Sequence, residues 1–270
     1  MRIILVGPGR AGLSVARAAS AGGHEIVGVL GRSPADQAAR QLDSVALSWD
    51  ELLPAADLLL IAVRDDAIGE VADRLAARAI GVRGAVHLSG SLDATVLEPI
   101  ARPGIATGTF HPLQTLPDPE TGSRRLAGAW VGISATDPGF REVLTELAAS
   151  LSMTPFDLSE VDLPLYHAGA AAAANYVVAS LALAERLFGA AGAPWEAAAP
   201  LVRAVTENAL TIGPGSALTG PIARGDISTV RRQVAAITAA APELRPGFTD
   251  MGRAVARLAG REEEFREVFE

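Results

Sequence analysis

A short apolar run, "RIILV", passes directly into "GPGRAG" and then into the helical stretch "LSVARAASAG". Few folds accommodate this order. Gly7-Pro8-Gly9-Arg10-Ala11-Gly12 has the G-x-G-x-x-G spacing, and it lies between a strand and a helix, the setting in which that spacing carries meaning. The first glycine allows a tight turn, the second lets a pyrophosphate approach the backbone, and the third lets helix and strand pack closely. The helix start adds free N–H groups and a positive dipole end. The segment therefore predicts a dinucleotide-binding βα unit.

The next stretches repeat the alternation. "EIVGVL", "DLLLIAV", "GAVHL", "GIATGTF" and "WVGISA" read as strands. "PADQAARQL", "DAIGEVADRLAARA" and "DPGFREVLTELAASL" read as helices, the last opened by Asp137 as N-cap and Pro138 in its first turn. Such alternation predicts a mostly parallel, doubly wound α/β sheet. From Ser159 onward no strand is evident, and helical stretches are broken by glycine and proline. The expected organisation is a Rossmann domain over 1–155 and an all-α domain over 156–270, the latter for substrate binding and dimerisation.

Composition narrows the chemistry. The net charge of −8 argues against a nucleic-acid surface. With no cysteine there is no thiolate nucleophile or disulfide. All 23 basic residues are arginine, which removes lysine acid–base and Schiff-base chemistry. No metal site is expected. The stretch "HAGAAAAANYVVASLALAERLF" is long and apolar but mostly alanine, and it reads as a helix buried in a core or a subunit interface. A cytoplasmic protein without a membrane span is expected, forming a homodimer through its helical domain.

Individual site residues follow from position. The second strand ends in Gly31, Arg32 and Ser33, with no carboxylate for a ribose 2′-hydroxyl. A guanidinium and a hydroxyl suit a 2′-phosphate, so NADP is expected over NAD. Ligands of open α/β sheets lie beyond the carboxyl ends of the strands. Those ends are Val63, which joins the cofactor set, then Ser89 and Ser91, and then His111, which Pro112 holds extended. An imidazole there can donate a hydrogen bond or a proton to a reducible group; the alternative is a histidine that caps its loop. His24 and His87 read as structural. His167 and Asn175 lie eight residues apart, ~12 Å along an ideal helix and ~80° around it. Their partners are either substrate or backbone across an interface. Arg224 is placed to meet a substrate carboxylate or else sits in a helix connection, and Asp226 reads as an N-cap.

Together the Gly7–Gly12 loop, "LLLIAVRDDAI", "HLSGS", "FHPLQT", "YHAGAAAAANY" and "LTGPIARGD" resemble one Rossmann-like family whose helical C-terminal half is a domain of unknown function. The family is similar to dehydrogenases built like 6-phosphogluconate dehydrogenase. Its relatives include pyrroline-5-carboxylate reductase, ketopantoate reductase, prephenate dehydrogenase and the deazaflavin-dependent NADP reductases. The resemblance to prephenate dehydrogenases implies roles near substrate for Ser91 and His111. The resemblance to β-hydroxyacid dehydrogenases implies a role for Asn175, yet Ala171 stands where those enzymes carry a catalytic lysine. Arg64 departs as well, since proline is usual after that strand.

The expected function is an NADP-dependent oxidoreductase moving hydride to or from a small carboxylate with a C=O or C=N group. In that reading His111 donates a proton or polarises the substrate, Ser89 and Ser91 orient it, and Asn175, with His167 and Arg224, contacts it. A deazaflavin-dependent NADP reductase and a non-catalytic nucleotide-binding protein are the alternatives.

Overall fold

A computed structural model describes residues 1–32, 35–78 and 81–270. The chain divides into two compact units, Met1–Ala172 and Ala173–Glu270. The first is built on an eight-stranded sheet of order β3-β2-β1-β4-β5-β6-β7-β8. Its strands are β1 (Arg2–Val6), β2 (Glu25–Leu30), β3 (Ala46–Leu47), β4 (Leu58–Ile61), β5 (Gly84–His87), β6 (Ala106–Leu113), β7 (Trp130–Ala135) and β8 (Thr154–Asp157). All pairings are parallel except β6 with β7.

The sheet is covered on both faces, so its central strands read as continuous apolar runs. Ile3, Leu5, Leu58 and Leu60 face one core with residues of α1 (Arg10–Ala21) and α5 (Pro138–Ser150). Ile4, Val6, Leu59 and Ile61 face the other, packed on α3 (Asp65–Ala76). Between these lie α2 (Asp36–Arg40) and α4 (Pro119–Leu126). Asp137 caps α5 as expected, accepting the Phe140 N–H at 2.9 Å.

Three features differ from the sequence reading. β3, two residues long, is a strand that the sequence reading does not name. β6 runs on through His111 and Pro112 to Leu113, paired with β7 alone once β5 has ended opposite Thr109. Proline is tolerated there because one side of the strand has become an edge. Finally, "TPFD" is β8, so the sheet extends past residue 155 and the compact units divide at Ala172/Ala173.

A continuous helix spans Leu163–Ala190: α6 (Leu163–Ala171), a π-turn (Ala172–Tyr176) and α7 (Val177–Ala190). By length and composition alone it is the one helix among the described residues able to cross a membrane. The second unit continues with α8 (Ala199–Ile212), α9 (Pro214–Ala217), α10 (Ile227–Ala240), α11 (Arg245–Leu258) and α12 (Glu262–Phe269). Its core is two small clusters, one of Val230, Val234, Ala256, Phe265, Val268 and Phe269 and one of Ile237, Ala241 and Leu244. Asp226 caps α10 through the Thr229 N–H at 3.0 Å.

His87 ties the loop after β5. Its Nε2–H donates to the Asp93 carbonyl at 3.0 Å, and its Nδ1 accepts the Ser89 N–H at 3.2 Å. Only the neutral tautomer does both. Burial pushes its pKa below the ordinary value, outweighing its hydrogen bond and two nearby aspartates. A histidine with a lowered folded-state pKa binds its proton more readily when unfolded, so its contribution to stability grows with pH. We therefore expect the melting temperature to fall as pH drops from about 7 to about 5, through the ordinary histidine range. His87→Gln, followed by scanning calorimetry across that range, should flatten the fall.

Candidate functional site

The glycine loop has the local geometry its spacing predicts. Gly7 adopts φ +95°, and a Cβ there would lie 2.7 Å from the Ala62 carbonyl oxygen. A Cβ on Gly12 would overlap the Gly7 carbonyl. Gly9 is different: a Cβ there meets nothing within 4 Å. Gly7 and Gly12 are thus demanded by the protein's own packing, whereas Gly9 faces open space. Arg10 and Ala11 form the first turn of α1, which has neither a side-chain cap nor an acidic residue. Its N–H groups remain available to an anion. These residues fit a dinucleotide diphosphate.

Two clefts meet at this loop. One, of about 620 Å³, is lined by Gly7, Pro8, Gly9, Gly31, Arg32 and Val63, among others. The second, of about 280 Å³, shares Gly7, Gly31, Arg32, Val63 and Arg64 with the first and is otherwise largely apolar. Arg32 is exposed at the end of β2, at the junction of both. Ser33 lies outside the described residues.

The end of β6 forms a separate polar cluster. His111 Nδ1 lies 3.0 Å from the Leu88 carbonyl. A carbonyl only accepts, so Nδ1 carries the proton and Nε2 of the neutral ring presents a lone pair. Burial pushes the His111 pKa down; His167 adds to this, while the Leu88 bond and Asp65 oppose it. The neutral form therefore dominates near pH 7. The ring packs on Gly90, where a Cβ would lie 2.5 Å from Nε2. The glycine of "HLSGS" is required by that approach.

Beside it, Ser91 Oγ donates to Asp65 Oδ2 at 2.6 Å. Ser91 Oγ then accepts from Ser89 Oγ at 3.1 Å, and Ser89 Oγ accepts the Ser91 N–H at 3.1 Å. Both hydroxyl protons are directed along this chain toward Asp65, and Ser89 is buried. Asp65, at the start of α3, lies within "LLLIAVRDDAI", but nothing in the sequence ties it to Ser91.

Tyr166 was missed. His111, Gly132 and Phe156 occupy one row across β6, β7 and β8. The Tyr166 ring lies edge-on to both His111 (centroids 5.7 Å apart) and Phe156 (5.9 Å). Its hydroxyl is shielded from solvent and has no hydrogen-bond partner among the described residues, a costly arrangement unless a ligand completes it. Burial raises its pKa, so it remains a donor. The only signal in the sequence was its place beside His167 in "YHAG".

The first unit thus brings together His111, Ser89 and Ser91, with exposed His167 on α6. Asn175 and Arg224, both exposed, belong to the second unit. Asn175 lies in the π-turn, so the ideal-helix angle between it and His167 does not apply. Such turns recur at functional sites.

Comparison with known proteins follows this division. Residues 1–112 match the family model of a Rossmann-like domain, and residues 129–255 match a domain of unknown function, DUF2520. No curated protein matches the sequence significantly. Among solved structures, a Bacteroides fragilis protein assigned as an NADP oxidoreductase is 23% identical, covers 95% of this chain and 98% of its own, and has a TM-score of 0.81. The reductive aminase of Aspergillus terreus, in complex with NADPH and ethyl levulinate, is 17% identical, with 98% and 99% covered and a TM-score of 0.68. The imine reductase of Myxococcus stipitatus, in complex with NADP⁺, is 15% identical, with 97% and 94% covered and a TM-score of 0.66. The likeness to these structures is one of fold. The chain thus joins a Rossmann-like domain to a C-terminal DUF2520 domain.

Proposed function

We propose that this protein is an NADP-dependent oxidoreductase acting on a small substrate with a C=N group, in its protonated iminium form. One observation carries the choice of C=N over C=O: the Leu88 carbonyl fixes His111 with an unprotonated Nε2. An iminium N–H donates to such a lone pair, whereas a carbonyl oxygen needs a donor. When bound, NADPH supplies the hydride, and a hydride added to an iminium carbon gives an amine with no further proton. That balance suits a chain with no lysine and a histidine that is neutral near pH 7. The Gly7–Gly12 loop and Arg32 would hold the nucleotide. The Ser89–Ser91–Asp65 chain fixes the loop on which His111 rests, and the Tyr166 hydroxyl is a donor for a second polar atom of the substrate, such as a carboxylate oxygen. The printed names of two fold neighbours, an imine reductase and a reductive aminase, agree with this chemistry.

The partner we propose is a second copy of this chain. Neither α7 nor α8 has a buried residue, yet Val178 is 66%, Leu201 67% and Leu210 84% exposed. Such a surface is characteristic of an interface. We also place the protein in the cytoplasm; recovery without detergent would support this and argue against a bilayer role for Leu163–Ala190.

Four measurements test these readings. NADPH oxidation should be seen with cyclic imines, with and without a carboxylate, and be faster than with keto acids at matched concentration; faster turnover of the keto acids would overturn the iminium reading. His111→Ala should lower kcat/KM by roughly 10–150-fold, the loss of one hydrogen bond to a charged group, and spare NADPH affinity. The parent activity should hold near neutral pH and fall on the acid side, below the ordinary histidine range, as Nε2 gains its proton. Tyr166→Phe should lower turnover by up to about tenfold while leaving the melting temperature unchanged or raised, because it removes a buried unpaired hydroxyl.

Gly9→Ala should melt like the parent but lose nucleotide affinity, while Gly12→Ala should be destabilised; fluorimetry with and without NADPH separates the two. Light scattering at micromolar concentration should give the mass of a dimer, with more than ~2,000 Å² buried, as in obligate pairs.

A further inference from the structure

Trp49, in the turn after β3, donates its indole Nε1–H to the Gly31 carbonyl at 2.8 Å. Gly31 follows β2 directly and precedes Arg32, so the indole pins the backbone that presents Arg32. The other face of this arrangement is Arg74 on α3, whose guanidinium carbon lies 4.0 Å from the Trp49 ring centroid. Arg74 has Glu70 one turn before it on the same helix, the usual partner for an arginine at that spacing. No salt bridge joins them, and among the described residues Arg74 pairs with no carboxylate. The ring face holds the guanidinium by a cation–π contact, which leaves its N–H donors free.

Arg74, Trp49 and Arg32 line the same cleft of about 280 Å³, which opens at Gly7 into the cleft along the glycine loop. Its remaining walls include Val6, Leu30, Val63, Ala67 and Val71. Arg64 also reaches it, but its guanidinium is bound to Asp66 at 2.6 and 3.1 Å. The cleft therefore combines an apolar slot suited to a flat base with two arginines that have no carboxylate partner among the described residues, against one acid, Glu70.

From this we infer that Arg74, positioned by Trp49, is a second determinant of cofactor choice, binding the adenosine 2′-phosphate together with Arg32. The inference rests on the dinucleotide reading above and adds residues that the glycine loop and the end of β2 do not name. Two arginines from different elements bracket a phosphate, whereas a ribose 2′-hydroxyl gives them nothing to neutralise. Trp49 acts as a positioning residue at both ends: through its N–H on the Arg32 backbone and through its ring on Arg74.

The test is calorimetric titration of NADPH and of NADH into the parent protein, Arg74→Gln, Arg32→Gln, Trp49→Phe and Trp49→Leu, with a melting curve for each. The parent should prefer NADPH. Arg74→Gln should cut the NADPH-over-NADH affinity ratio by about tenfold, with NADH affinity and melting temperature unchanged. Trp49→Leu, which removes the ring face, should cut the ratio as much or more, and Trp49→Phe, which keeps an aromatic face, should cut it less. If Arg32→Gln lowers the ratio and Arg74→Gln does not, or if Arg74→Gln weakens both nucleotides alike, the inference is overturned while the dinucleotide reading stands. A parent that binds both nucleotides equally also overturns it. A parent that binds neither overturns both.

Discussion

The approach of α1 to the ends of β1 and β4 is the constraint on which the rest of the first unit depends. Gly12 sits so close to the Gly7 carbonyl that a methyl group would overlap it, and Gly7 turns with positive φ against Ala62. This contact sets the position of the first helix over the sheet and the direction of its uncapped N–H groups. It also leaves Gly9 facing open space in the larger cleft. Packing and ligand access are thus set by neighbouring glycines with opposite surroundings, and the spacing between them is fixed by one turn of helix.

Three strands across the sheet from β1, a single hydrogen bond has a comparable effect. The Leu88 carbonyl decides which nitrogen of His111 bears the proton, and burial decides that the ring is neutral. The carbonyl is held in turn by the loop that His87 stitches from both of its nitrogens. The character of Nε2 therefore originates in a buried histidine on the neighbouring strand. The expectation that His111 acts as a proton donor or polariser gives way, under the proposed function, to an acceptor role, because a neutral imidazole bonded through Nδ1–H has no proton on Nε2.

The sequence revealed what is local. The glycine loop, the alternating strands and helices, the Asp137 and Asp226 caps and the position of His111 at a strand end all depend on residues within a few positions of one another. What it concealed depends on pairing at a distance. β8 is four residues with a proline and no alternation, and it is a strand only because β7 offers it a partner. Tyr166 meets His111 only once β6, β7 and β8 align His111, Gly132 and Phe156 in one row. Trp49 and Arg74 come from a turn and a helix separated by β4, and no periodicity links them. The boundary near residue 155 was read where strand patterning ceases, whereas compactness places the division inside a continuous helix.

The absence of lysine bears on mechanism rather than on fold. Ala171 leaves this helix without the lysine its resemblance to β-hydroxyacid dehydrogenases would supply, the chain has no cysteine, and among the described residues the acid that acts on His111 is Asp65. A carbonyl that accepts hydride becomes an alkoxide and must be protonated, so a site for it requires a donor with a suitable pKa. An iminium that accepts hydride becomes a neutral amine and requires only to be held. Under the proposed function, His111 as acceptor, Tyr166 as a weak donor whose burial keeps it protonated, and Asp65 linked through Ser91 form a set that holds and orients. Such a set suits the second requirement better than the first, so the proposed choice of C=N over C=O rests on the proton inventory of the site rather than on the identity of the cofactor.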